Sequence, residues 1–119
     1  LVWKNKPNEK VWYMKNWCKM DVILKYNMYD KVFNEHAEDC WSGAIVTKKN
    51  DITLKYIREW LEMCCNYEDV TDSRSKSKNS DLFKEHRHDQ ALLSIVLHKH
   101  KYELKYMKND FLQNVRVPF

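Results

Sequence analysis

Apolar residues recur at helical intervals in several stretches of this chain and form a strand-like run in one. Asn16 is a good N-cap, and behind it Trp17, Met20, Ile23 and Leu24 fall on one helical face. Val32, Phe33, His36 and Ala37 repeat the spacing over a shorter span. Trp41 to Lys48 is short and β-branched toward its end, and the turn residues Asn50 and Asp51 follow, so this run predicts a strand. Ile52 to Cys65 is the clearest helix. Asn50 or Asp51 can cap it, and Leu54, Ile57, Leu61 and Cys64 form a stripe that Trp60 widens. From Asp89 onward, Ala91, Leu92, Leu93, Ile95, Val96 and Leu97 cover nearly every helical face, which predicts a buried helix.

Between these elements the polar pattern is as informative. Glu68 to Ser80 has no apolar period and is crowded with Asp, Ser and Asn; it reads as a loop and, beside a site, a candidate lid. Leu1 to Lys15 reads as a connection into the first helix, and Tyr102 to Met107 is a candidate short strand. The mixture is α/β, with helices packed on a few strands and too few of these to close a sheet. Residues 1–119 fit a single partial domain.

Composition narrows the function. Hydrophobic residues make up 44% and aromatic residues 13%, enough for a core and against disorder. The net charge is +4, from 21 Lys and Arg against 17 Asp and Glu. Because acids are interleaved with the lysines, this balance favours modest attraction to phosphate-bearing ligands over nucleic-acid binding. No apolar run approaches the ~20 residues a spanning helix needs. Cys18, Cys40, Cys64 and Cys65 show no C-x-x-C spacing, which argues against structural zinc and leaves reduced thiols or a disulfide pair.

The densest candidate chemistry is His86-Arg87-His88-Asp89-Gln90, just where the buried helix begins. Asp89 suits an N-cap or a first-turn acid, favoured by the free amides and partial positive charge of a helix start. Arg87 can fork onto phosphate or carboxylate. His86 and His88 can bind metal or donate to phosphate oxygens. Equally, Asp89 can be a plain cap among solvated neighbours. His98 and His100 complete two His-x-His pairs, but alternate residues splay apart on a helix or strand, which disfavours a four-His metal site. Gly43 is the chain's single glycine; it marks either a close backbone approach by a ligand or room for a packed tryptophan. Trp41 and Ser42 beside it can line a pocket.

Three landmarks resemble a group of glycosyltransferase-like proteins of capsular and extracellular polysaccharide synthesis. They are Trp17-Cys18-Lys19-Met20-Asp21; the strand Gly43-Ala44-Ile45-Val46 leading through Lys48-Lys49-Asn50 to Ile57-Arg58-Glu59-Trp60-Leu61; and Phe83-Lys84-Glu85-His86-Arg87-His88-Asp89-Gln90 with Ser94 beyond. The group often has Thr in place of Cys18, Ser in place of Ala91, and a Gln before the strand, where this chain reads Glu38-Asp39-Cys40. The resemblance implies the C-terminal, acceptor-side half of a GT-A-like fold. It implies a nucleotide-sugar donor, a glycan acceptor, and a cytoplasmic or Golgi-lumenal setting. Asp89 and His88 become the catalytic candidates; Arg87, Gln90, Gly43 and Ser42 the substrate-binding ones; and His86 a metal candidate. A divalent metal, Mn2+ or Mg2+, is expected for the full-length family member. The Asp-x-Asp motif that would supply its main ligands does not occur in this chain, so the nucleotide half is expected to lie outside it. The competing expectation is a truncated or decayed relative that binds partners without catalysis.

Overall fold

The apolar run after Asp89 forms the helix around which the protein is built. In the computed structural model, which describes residues 2–3 and 12–101, this helix is α5, His88–Lys99. Its residues Gln90 to Leu97 are all buried. A helix apolar on every side must be covered on every side, and α5 is covered by most of the other elements. These are α1 (Met14–Trp17), a strand β2 (Trp41–Ile45), α3 (Asp51–Cys64) and α4 (Tyr67–Val70). The short α2, Met20–Lys25, and a five-residue π-helical turn, Asp30–Asn34, complete the helical set. The β content is small: β2 pairs antiparallel with the two-residue β1, Val2–Trp3. The protein is therefore a mostly helical small domain, with strands in the minor role. None of its described helices is long and apolar enough to cross a membrane.

Met14, Cys18, Val22, Ile23, Met28 and Val32 from the first third pack on Met63 of α3 and on Ala91, Leu92, Ile95 and Val96 of α5. Cys40, Leu93 and Leu97 form a smaller cluster under Ile45 and Trp60. Truncating a fully buried residue such as Leu92 to Ala costs typically ~2–5 kcal/mol through lost burial and a residual cavity.

Three elements differ from the pattern-based expectation, each for a physical reason. The helix expected to run from Asn16 through Leu24 is broken at Cys18 and Lys19 into α1 and α2. Lys19 is extended (φ −69°, ψ 148°), its side chain is buried, and its N–H is taken by His86, so the helical ladder cannot continue; Leu24 at its far end is 49% exposed. The expected stripe of Leu54, Ile57, Leu61 and Cys64 on α3 is split: Cys64 packs against the core and Leu54 is half-buried, but Ile57 and Leu61 face outward, 44% and 62% exposed. The inward face instead carries Thr53 and Met63, flanked by Tyr56 and Trp60. The large aromatics have more area to remove from water than the leucines, and the reciprocal cap between Asn50 and Thr53 fixes the rotation at the helix start. The repeat through Val32 and Ala37 is a π-helical turn that closes at His36, whose φ is 54°.

The polar stretch 68–80 begins inside α4, whose amides at Glu68 and Asp69 are capped by the Asn66 side chain. Beyond it the loop lies on the start of α2. Met20 N–H donates to Asn79 Oδ1, Asp21 N–H donates to Ser75 Oγ, and the Asp21 carboxylate accepts from the Lys76 and Ser77 amides at 2.7 and 2.9 Å. This candidate lid is thus bonded down along its length. The candidate strand Tyr102 to Met107 and most of the connection before Lys15 fall outside the described residues.

Candidate functional site

The chain enters α5 through a tight backbone: Arg87 stands at the N-cap without a side-chain capping bond, and His88 has φ 50°, a left-handed conformation that L-residues seldom adopt. Asp89 follows in the first turn, where the helix dipole favours its charge. Its side chain is exposed, and it is a first-turn acid rather than the cap. Its carbonyl accepts from Trp60 Nε1 of α3 at 2.9 Å, and Ser42 Oγ of β2 reaches its Oδ2 at 3.4 Å. Two stretches singled out from sequence, Ser42-Gly43 and His88-Asp89, are therefore neighbours at one end of α5.

Gln90 turns the other way. It is buried, donates from Nε2 to Asp39 Oδ2 at 2.5 Å, and its Oε1 stands 3.4 Å from the Ser42 amide. Ser94 Oγ, one turn on, donates to Asp39 Oδ1 and accepts from the Cys40 N–H. Asp39 is 6% exposed; burial pushes its carboxyl up to about 6, although Gln90, Ser94 and the positive charge of Arg87 pull the other way. Gln90 is thus a support beneath Asp89, and Asp39 is a member of the site that sequence reasoning missed. The signal available was its position: an acid just before a strand, opposite a Gln and a Ser four residues apart on one helix.

Both ring nitrogens of His86 are committed to backbone. The ring is buried; Nδ1 accepts from the Lys19 N–H at 3.2 Å, and Nε2 lies 2.7 Å from the Asp69 carbonyl, so Nε2 carries the proton. Burial holds this imidazole down at about 4, against the opposing pull of the Asp69 carbonyl. Expected as a metal ligand, His86 is a neutral strut joining α2, α4 and the loop; to bind an ion it must give up one of those bonds. Nor do the described residues bring three His, Cys, Asp or Glu side chains together. His98 bonds the Glu38 carbonyl and His100 the Glu59 carboxylate, far from a shared centre in bonding terms.

His88 is placed differently. It is exposed, and its Nδ1 lies 3.1 Å from the Val70 carbonyl, which can only accept. The proton is then on Nδ1, and in the neutral ring Nε2 keeps the basic lone pair. Arg87 pairs with Glu85 at 2.9 Å and lies beside the stacked rings of Trp12 and Trp17, its guanidinium carbon 5.7 and 5.5 Å from their centroids. Gly43 has no left-handed backbone; a Cβ there would overlap the Trp41 indole. Of the two readings of this glycine, room for a packed tryptophan is the one the geometry occupies.

Compared with models of known protein families, with curated protein sequences and with solved structures, the chain matches none of them.

Proposed function

We propose that this chain is the acceptor-side part of a GT-A-like transferase that moves a sugar from a nucleotide-sugar donor to a hydroxyl acceptor in glycan or polysaccharide synthesis. The order of its three sequence landmarks supports the reading, and one structural observation carries it. The exposed carboxylate of Asp89 sits in the first turn of α5 beside Ser42, on a base of buried polar groups, Gln90, Asp39 and Ser94. A carboxylate so held can orient a sugar hydroxyl or accept the acceptor's proton. His88, with Nε2 basic, is the second group able to move a proton. Arg87 offers a cation to a leaving diphosphate, and Ser42 a hydroxyl to the sugar. Gln90 acts from beneath as a positioning residue.

The divalent metal implied by the resemblance would take its main ligands from outside this chain, and His86 is committed to backbone bonds. No step of this proposal passes through a metal. The test is transfer from a panel of nucleotide-sugars by the protein carrying its nucleotide-binding half. Asp89→Asn is expected to lower turnover by ~10²–10⁴ with the melting temperature unchanged. Near-normal turnover would reduce Asp89 to a helix-start charge.

A second reading, a non-catalytic interaction domain, is favoured by the outward Ile57 and Leu61 of α3. Loss of self-association or partner binding in the Ile57→Lys, Leu61→Lys double variant, with no transfer by the parent, would select it.

A further inference from the structure

On the side of α2 facing the loop lies a pocket of about 510 Å³ that shares no lining residue with the Asp39–Asp89 cluster. Lys19, Arg74, Lys76 and Lys78 line it, against the single carboxylate of Asp72. Lys19 forms its floor. The side chain is buried, and its ammonium is held by the Thr71 carbonyl at 2.9 Å, the Ser73 carbonyl at 3.3 Å and Ser73 Oγ at 3.0 Å. Those three oxygens are neutral, and among the described residues no carboxylate pairs directly with the ammonium; Ser73 Oγ in turn donates to Glu68 Oε2 at 3.3 Å, so the charge is only partly offset, and in a region of low dielectric it reaches further than on the surface. One oxygen of Asp72 accepts the His86 N–H at 3.1 Å. Asp21 is occupied by the Lys76 and Ser77 amides.

The polar groups of the wall are asymmetric in the same sense. Asn79 spends its oxygen on the Met20 amide and keeps its NH₂ as a donor. Arg74 and Lys76 are exposed cations, and Lys78 reaches Asp81 only at 3.7 Å with both side chains in water, a weak tie. The wall therefore offers donors and positive charge, while Asn79 Oδ1, Ser73 Oγ, Ser75 Oγ and the Asp21 carboxylate already accept bonds within the fold. Phe83 adds an apolar surface. The volume suits a small molecule.

We propose that this pocket binds a phosphate-bearing small molecule, the phosphate between Arg74, Lys76 and Asn79 above the buried Lys19, and an attached ring against Phe83. A sugar phosphate and a nucleotide share this chemistry. The inference does not rest on the sugar-transfer reading: the site is separate, and its occupancy is measured without turnover.

The experiment is an amide-resolved NMR titration of the whole chain with inorganic pyrophosphate, glucose 1-phosphate and adenosine monophosphate. The expected result is saturable shifts at Lys19, residues 72–79 and Phe83. The Arg74→Gln, Lys76→Gln double variant is expected to bind roughly tenfold more weakly or worse. Added salt should weaken binding further. Tighter binding of the nucleotide assigns the ring as a base, and tighter binding of glucose 1-phosphate assigns it as a sugar. Pyrophosphate binding as tightly as both would overturn the contact with Phe83. Absence of shifts at millimolar ligand, or an affinity indifferent to the double variant, would overturn the site. Both substituted residues are exposed, so the variant keeps the Lys19 floor and its fold is checked by the unshifted core resonances.

Discussion

The side chain of Gln90 bonds Asp39 Oδ2 across the base of the candidate site, tying the approach to β2 to the first turn of α5. Fixing one end of that bond in a buried carboxyl has a consequence for stability. Asp39 is raised from its ordinary 3.8 to about 6, chiefly by burial, so its contribution is full below pH 3.8 and is lost as pH rises through 6. His86 is lowered from 6.5 to about 4, again chiefly by burial; its contribution is full above pH 6.5 and is lost as pH falls through 4. Between pH 4 and 6 the two slopes oppose. Asp39→Asn removes one of them, so relative to wild type its stability is expected to climb with pH across this window, by on the order of 1–3 kcal/mol. Urea melts at pH 4, 5 and 6 measure the difference, and a parallel profile for the two proteins would refute the opposition.

Asp21 anchors the 72–79 loop through two backbone amides. Slight desolvation favours its neutral form, but the bonds from Lys76, Ser77 and Ser75 outweigh this and hold the carboxyl below the usual range. Asp21→Ala is expected to destabilise by about 1–2 kcal/mol and to accelerate hydrogen exchange at the Lys76 and Ser77 amides ahead of the core. Unchanged exchange at those two amides would show that the loop is held elsewhere.

Gly43→Ala puts a methyl group where the Trp41 indole lies. The obstructing atoms are the far end of a partly exposed, rotatable side chain, so the indole is expected to swing out while the backbone stays. The cost should be below about 1 kcal/mol, with a red shift in tryptophan emission. A loss of several kcal/mol would mean that the indole cannot move.

All four cysteines are free thiols, and they differ in reach. Cys18 is wholly buried, and burial raises its thiol far above the ordinary value; Cys64 is raised as well, by partial burial and by the charge of Asp89. A thiol-reactive dye at pH 8 is therefore expected to label Cys65 first, Cys64 more slowly, and Cys18 and Cys40 only on unfolding. Rapid labelling of all four in native protein would contradict the packing of α1 and β2.

Much of the helical framework was legible in the chain, because α5 and α3 carry local signals: a continuous apolar run, and a capping residue at Asn50 or Asp51 of which the fold uses Asn50. The first-turn place of Asp89 follows from the same signals. What the pattern could not show was non-local. The break at Lys19 is set by a histidine 67 residues away, and the rotation of α3 by an indole that bonds the Asp89 carbonyl. The same applies to the roles of His86 and Gln90, whose side chains look like site chemistry in sequence and are spent on backbone and on a buried acid in the fold.

The bonds that cross from the start of α2 to the late loop span 59 residues from Met20 to Asn79 and 67 from Lys19 to His86, and the Lys84 and Arg87 amides close back on Asn16 and Trp17. A nascent chain leaving the ribosome has no partners for the Met20 and Lys19 amides until another 59 and 67 residues have emerged. Over that interval α1 and α2 are an unfinished surface, with polar groups and apolar side chains in water. Closure of so long a loop before any of its contacts form is an entropic barrier. The order of synthesis thus leaves α1 and α2 open to chaperones, and to misassembly, until the segment around His86 arrives to lock them.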